Sequence, residues 1–173
     1  MSLVVLLKGV NVGGHRSFRP SDLAKGLKRF DVVSIGAAGT FIVRSRVGRT
    51  EIRAEIERRL PFHADVVICS GSEILGLVSR DPFADRTPEP AVIRFVSVML
   101  RRRKPTAPVP QTLPAEGDWC VQVLGAQDRF IWGLHRREMR AISYLGRLEK
   151  AVGAPLTTRG WNTFLAIGRL LKL

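Results

Sequence analysis

The sequence predicts an α+β protein: two tandem ferredoxin-like split β-α-β units, duplicated and packed as one compact protein. Three observations predict it. Over residues 1–89, short apolar runs alternate with amphipathic stretches in the order β-α-β-β-α-β-α. Residues 90–173 repeat that order, with a proline-rich loop at 105–114 in place of the first helix. The length, 173 residues, suits two small units that share a core.

The elements follow in order. Residues 3–7 are a continuous apolar run, a buried strand broken by Asn11-Val12-Gly13-Gly14. Pro20 opens a helix whose apolar residues Leu23, Leu27 and Phe30 fall on one stripe. Runs 31–36 and 40–45 flank the tight turn Ala37-Ala38-Gly39 and read as a hairpin. Ile52, Ile56 and Leu60 mark a helix over 51–60 whose charged residues, Glu51, Glu55 and Glu57 among them, lie on a solvated face. A strand over 65–69 leads into Ser70-Gly71-Ser72-Glu73, a capping box that starts another helix, and Asp81-Pro82 ends it.

The second unit opens with a strand over 91–100. A hairpin follows, 118–124 with 129–135, turning across Gly125-Ala126-Gln127-Asp128. Met139, Ile142, Leu145, Leu148 and Val152 trace a helix, 155–158 a short strand, and Trp161, Phe164, Leu165 and Leu171 a last helix. No residue-level identity links the two halves.

Composition bounds the class. A chain 45% hydrophobic and 25% charged is neither a disordered tail nor a collagen nor a coiled coil. The opening apolar run is too short and wrongly flanked for a signal peptide, and no run nears the roughly 18 residues of a membrane span. Cys69 and Cys120 make neither a disulfide framework nor a metal spacing, which places the protein in a reducing cytoplasm. The net charge of +13 favours an anionic partner. It comes from 22 Arg and six Lys, an excess that Arg-favouring codon usage explains equally well. The imbalance is greatest after residue 90, where 14 basic groups face five acidic ones.

Leu7-Lys8-Gly9-Val10-Asn11-Val12-Gly13-Gly14 resembles the opening strand and glycine loop of a bacterial family called domain of unknown function 1697. Thr157-Thr158-Arg159-Gly160-Trp161-Asn162-Thr163 resembles that family's second signature, Thr-x-Arg-Asn-Trp-Asn-Thr. Asp81-Pro82-Phe83 and Leu148-Glu149-Lys150 also fall where the family places similar residues. The resemblance spans nearly the whole chain and implies a duplicated α+β fold, but it implies no activity. By this resemblance the chain is identified as a divergent member. Ala37-Ala38-Gly39-Thr40 stands where the family tends to carry Gln-Ser-Gly-Asn, Gly160 replaces the motif asparagine, and Ser143-Tyr144-Leu145 replaces Ser-Lys-Leu.

Two ligand sites follow from residue chemistry. The first is the loop of Lys8, Gly9, Asn11, Gly13, Gly14, His15 and Arg16, with Arg19 beyond. Its glycines let backbone amides face an anion near a helix start, while the plain reading is a sharp crossing over the sheet. His15 and Arg16 replace the Lys and Ser/Thr of a phosphate loop, so an NTPase is a poor reading. The second is Thr158, Arg159 and Asn162 at the start of the last helix: an N-cap, a guanidinium for a carboxylate or phosphate, and an amide. Its plain reading is a core Trp161 with Arg159 as an internal clamp.

Arg101, Arg102, Arg103 and Lys104 form a weaker nucleic-acid patch, or else a solvated strand end. Trp119, Phe130 and Trp132 offer a base-stacking platform or an ordinary core face. His15, His63 and His135 are too scattered for a metal site, no cofactor motif is present, and no catalytic constellation appears.

The sequence therefore points to a non-catalytic binder of an anionic ligand, nucleic acid or a phosphorylated small molecule. An enzyme with its active site between the units, and a structural or protein-interaction module, stay open beside it.

Overall fold

The structure, a computed structural model, describes residues 1–101, 108–109 and 112–172. Among the described residues, five α-helices and two antiparallel sheets make it an α+β protein. It divides into two compact units, residues 1–80 with 162–173, and residues 81–161.

The first unit runs β1 (Leu3–Leu7), α1 (Pro20–Gly26), β2 (Val32–Ile35), β3 (Thr40–Val43), α2 (Arg49–Arg59), β4 (Val66–Ser70) and α3 (Gly71–Arg80). A single 3₁₀ turn, Lys28–Phe30, follows α1. The strands lie in the order β2-β3-β1-β4, every neighbour antiparallel. Alternation along β1 sends Leu3, Val5 and Leu7 into one core with Phe41, Val43, Val66 and Ile68, and Leu23, Leu27, Ile52 and Ile56 from the helical side complete it. Val4 and Leu6, pointing the other way, are fully buried as well.

The capping box forms as its spacing requires. Ser70 N donates to Glu73 Oε2 at 2.7 Å, and Glu73 N donates to Ser70 Oγ at 3.2 Å. Arg49 ties this corner to α2, donating to the Ile68 carbonyl at 2.8 Å.

Glu55 is not on a solvated face. Its carboxylate, with 17% of the side chain exposed, accepts from Arg59 and pairs with Arg58 at 3.1 Å and Arg29 at 3.2 Å. Arg59 also donates Nε to the Gly26 carbonyl at 3.1 Å, joining α2 to the end of α1.

The second unit runs β5 (Val92–Met99), β6 (Thr112–Leu113), β7 (Val121–Gln127), β8 (Phe130–Arg136), α4 (Met139–Val152) and β9 (Leu156–Gly160). Its strand order is β6-β7-β8-β5-β9, again antiparallel throughout. One face carries Phe95, Met99, Val121 and Ile131 against Leu148 and Val152 of α4.

Other sequence expectations need correction. The second hairpin turns at Asp128 and Arg129 alone, because Asp128 adopts φ 54° and closes the tighter turn. Gly125 belongs to β7, where the Trp132 indole passes so close that a Cβ would sit 2.5 Å from it. Thr158 is not an N-cap: β9 continues to Gly160, and Thr158 pairs with Ser97 of β5, their hydroxyls 2.6 Å apart.

The sequence places the last helix, α5 (Trp161–Leu171), in a second unit spanning 90–173; most of it belongs instead with the first. Leu171 packs on Gly71, and Gly168 gives room to Val78. The proline-rich segment contains β6, and its residues 105–107 and 110–111 lie outside the described residues.

Candidate functional site

β1 ends at Leu7, and the chain does not enter α1 until Pro20. The intervening loop is built on two anchors. Val10 is buried in the core of the first unit, and Phe18 meets Phe62 edge-on with ring centroids 5.9 Å apart. Between them Asn11, at φ 53°, acts as a clamp. Its Nδ2 donates to the Ala37 carbonyl at 2.7 Å, and its Oδ1 accepts from Phe18 N at 2.9 Å.

The chain then doubles back. Asn11 N donates to the Arg16 carbonyl at 3.2 Å, and His15 N donates to the Val12 carbonyl at 3.1 Å. Gly13 and Gly14, at φ 59° and 76°, make the turn of this miniature hairpin, a left-handed pair that suits a two-residue connection.

This geometry changes how the loop would meet an anion. The amides of Asn11, His15 and Phe18 are occupied inside the loop, and α1, seven residues long, begins only after His15 to Arg19 have intervened. Charge is therefore presented by side chains. His15, Arg16 and Arg19 are exposed, and Arg16 bends back so that its Nη1 would lie 3.8 Å from a Cβ at Gly9. Among the described residues, Arg16 and Arg19 have no carboxylate partner. Val12, at the tip, is 58% exposed.

The turn that receives Asn11 is Ala37-Ala38-Gly39. Leu7 N donates to the Gly39 carbonyl at 2.8 Å, and a Cβ at Gly39 would lie 2.8 Å from Val10 and 2.9 Å from Leu7. The structure thus brings together Lys8, Gly9, Asn11, Gly13, Gly14, His15 and Arg16, and adds residues 37–39 to them.

The remaining candidates lie elsewhere. Thr158 and Arg159 are in β9 of the second unit, whereas Asn162 is exposed on α5. Arg159 is 8% exposed and donates Nη1 to Thr157 Oγ1 at 3.0 Å and to the Thr158 carbonyl at 2.9 Å. Burial pulls its guanidinium down to about 10. Arg101 is exposed; Arg102, Arg103 and Lys104 lie outside the described residues. Phe130 is buried, Trp132 half-buried over Gly125, and the Trp119 ring carries the Arg136 guanidinium 4.6 Å from its centroid. Cys69 is buried on β4.

Two polar groups escaped the sequence reading. Buried Arg129 donates Nη2 to the carbonyls of Met99 at 2.7 Å and Leu100 at 3.0 Å, stitching the β8 turn to the end of β5. The Cys120 thiol donates to Glu138 Oε1 at 3.0 Å, which pushes the thiol up and holds the carboxyl low. Neither carries a local sequence signal, since each partner is distant along the chain. Among the described residues, no three His, Cys, Asp or Glu side chains gather to hold a metal, and no helix is long and apolar enough to cross a membrane.

A family model described as protein of unknown function (DUF1697) matches residues 1–119. No curated protein matches the chain significantly. Among solved structures, the conserved bacterial protein SP0830 from Streptococcus pneumoniae is similar over 98% of this chain and 98% of that one, with a TM-score of 0.61 at 17% identity. At that identity the likeness concerns the fold alone.

Proposed function

The chain belongs to the DUF1697 family, a membership that specifies no reaction, and we propose that it acts as a non-catalytic binder of an anionic ligand. The observation that carries this reading is the clamped hairpin, which offers His15, Arg16 and Arg19 to solvent on an ordered backbone. A loop already fixed in the free protein loses little freedom on binding, so more of each guanidinium contact appears as affinity. The net charge of +13 adds long-range attraction for the same class of ligand. Nucleic acid and a phosphorylated small molecule both satisfy this chemistry.

The setting of the site is read in the same way. Numbered from its first long strand and leaving β6 aside, each sheet runs 2-3-1-4, which supports two duplicated ferredoxin-like units. Two buried cysteines with no disulfide between them suit a reducing cytoplasm. A protein-interaction module is the second reading, favoured by exposed Val12 at the hairpin tip.

Salt-dependent binding separates these readings. Labelled single- and double-stranded oligonucleotides are titrated across a salt series, and nucleotides and sugar phosphates are screened by thermal shift. If nucleic acid is the ligand, affinity falls steeply with salt, and Arg16→Ala and Arg19→Ala each lower the slope by about one. If it is a phosphorylated small molecule, stabilisation grows with concentration and both variants weaken it about tenfold. Oligonucleotide retention indifferent to salt, with no thermal shift from any phosphorylated compound, leaves the interaction module.

A further inference from the structure

A second site lies wholly within the second unit. The segment between α3 and β5 is shaped by successive turns: Phe83 N donates to Asp81 Oδ1 at 3.2 Å, and Arg86 N to the Phe83 carbonyl at 2.9 Å. Phe83 is anchored against Trp161, ring centroids 5.2 Å apart. Val92 N then donates to the Glu89 carbonyl at 3.1 Å, where the segment enters β5.

Between this segment and the sheet is a cavity of about 260 Å³. Arg94 and Leu134, opposite one another in β5 and β8, line it together with Val92, Asp85, Arg86 and Glu89. The Arg94 guanidinium is half-buried and rests over the Phe83 ring, 5.8 Å from its centroid. Two carboxylates line the same cavity, yet among the described residues Arg94 pairs with neither. Opposite charges thus stand apart in one small space above an apolar floor.

We propose that this cavity binds a small zwitterion of the α-amino-acid class. The carboxylate of such a ligand meets the Arg94 fork, its ammonium group meets Asp85 and Glu89, and its side chain lies on Val92 and Leu134. A purely anionic ligand would face the two acids, and a purely cationic one the two arginines. The space is ample for a small amino acid.

The test is calorimetric and thermal-shift titration of the full chain with the twenty standard amino acids, and with the N-acetyl and amide derivatives of any that bind. At least one amino acid should bind with a millimolar or lower Kd, and both derivatives should bind about tenfold more weakly. Arg94→Gln should abolish binding, Glu89→Gln on the exposed segment should weaken it about tenfold, and Arg16→Ala in the hairpin should leave it unchanged. If Arg94→Gln does not fold, Glu89→Gln decides alone. The proposal is overturned if no amino acid binds at about 10 mM, if the derivatives bind as well as the parent, or if the decisive variant binds as the natural protein does. None of these outcomes touches the hairpin, whose test uses phosphorylated ligands.

Discussion

Asn11 and the Ala37 carbonyl, 26 residues apart in the chain, meet in a 2.7 Å hydrogen bond that pins the basic hairpin to the β2–β3 turn. The other end of the same side chain accepts from Phe18 N, so one residue fixes both the start and the return of the loop. Asn11→Ala removes both bonds and keeps the φ of 53° that favours Asn over Ala. A loss of about 1–2 kcal/mol is expected in urea unfolding, since the half-buried Phe18 N loses its acceptor and alanine fits the left-handed backbone poorly, while the exposed Ala37 carbonyl turns to water. Ligand affinity should fall as well, because the hairpin that presents His15 and Arg16 is no longer held. An Asn11→Ala protein as stable as the natural one would mean the hairpin is held by Val10 and Phe18 alone.

Two loop glycines separate backbone strain from collision. At Gly13, φ is 59° and nothing lies within 4 Å of where a methyl group would stand, so Gly13→Ala bears only the left-handed penalty, about 1–2 kcal/mol. At Gly39 the φ of 71° is joined by contacts of 2.8 Å to Val10 and 2.9 Å to Leu7. Gly39→Ala must displace a buried side chain and should cost more than Gly13→Ala by about 1–3 kcal/mol. Chemical denaturation of the two variants side by side measures the difference; equal losses would show that Val10 yields without cost.

Much of the fold was legible because its signals are local. Ser70 and Glu73 announce a capping box three residues apart, and both of its bonds form. The glycine run after β1 announces a loop, and a loop is there. The misreadings come from residues whose decisive partner is remote. Thr158 has the look of an N-cap because an apolar helical run follows it, but pairing with Ser97 keeps it in a strand. Gly125 has the look of a turn residue, but it is the space that the Trp132 ring needs. Arg159 has the composition of an anion site and the position of a buried clamp. The Asn11–Ala37 bond leaves no trace in either stretch of sequence.

Glu55 ties acid stability to the α1–α2 contact. Burial alone would raise its pKa, but hydrogen bonds from Arg59 and Arg58 and the charges of Arg29 and Arg58 outweigh burial and hold it below the ordinary 4.5. A carboxyl lowered in the folded state contributes stability above its unfolded pKa and loses it as pH falls through the folded one. Below pH 4.5 that contribution should therefore shrink, and Glu55→Gln should lower stability at neutral pH while flattening the acid fall. Urea midpoints of both proteins at neutral and acid pH check this. Parallel acid falls would assign the effect to other carboxyls.

The Cys120–Glu138 pair acts at the opposite end of the pH scale. The hydrogen bond to Glu138 holds the thiol protonated, burial adds to it, and the negative charge of Glu138 adds again, so the thiol titrates above its ordinary 9.0. An acid whose pKa is raised on folding contributes stability that is complete below its unfolded pKa and is lost as pH rises through the folded one. The thiol's bond is thus a source of alkaline sensitivity beginning near pH 9.0. Cys120→Ser keeps a donor for Glu138 Oε1 but has no proton to lose in this range, so its stability should stay flat where that of the natural protein declines. Glu138→Gln keeps an acceptor and removes the charge, so it should moderate the decline without abolishing it. Unfolding free energies of the three proteins on either side of pH 9.0 decide the matter. If Cys120→Ser and the natural protein decline together, the alkaline loss arises from lysines or the tyrosine, and the buried thiol has no part in it.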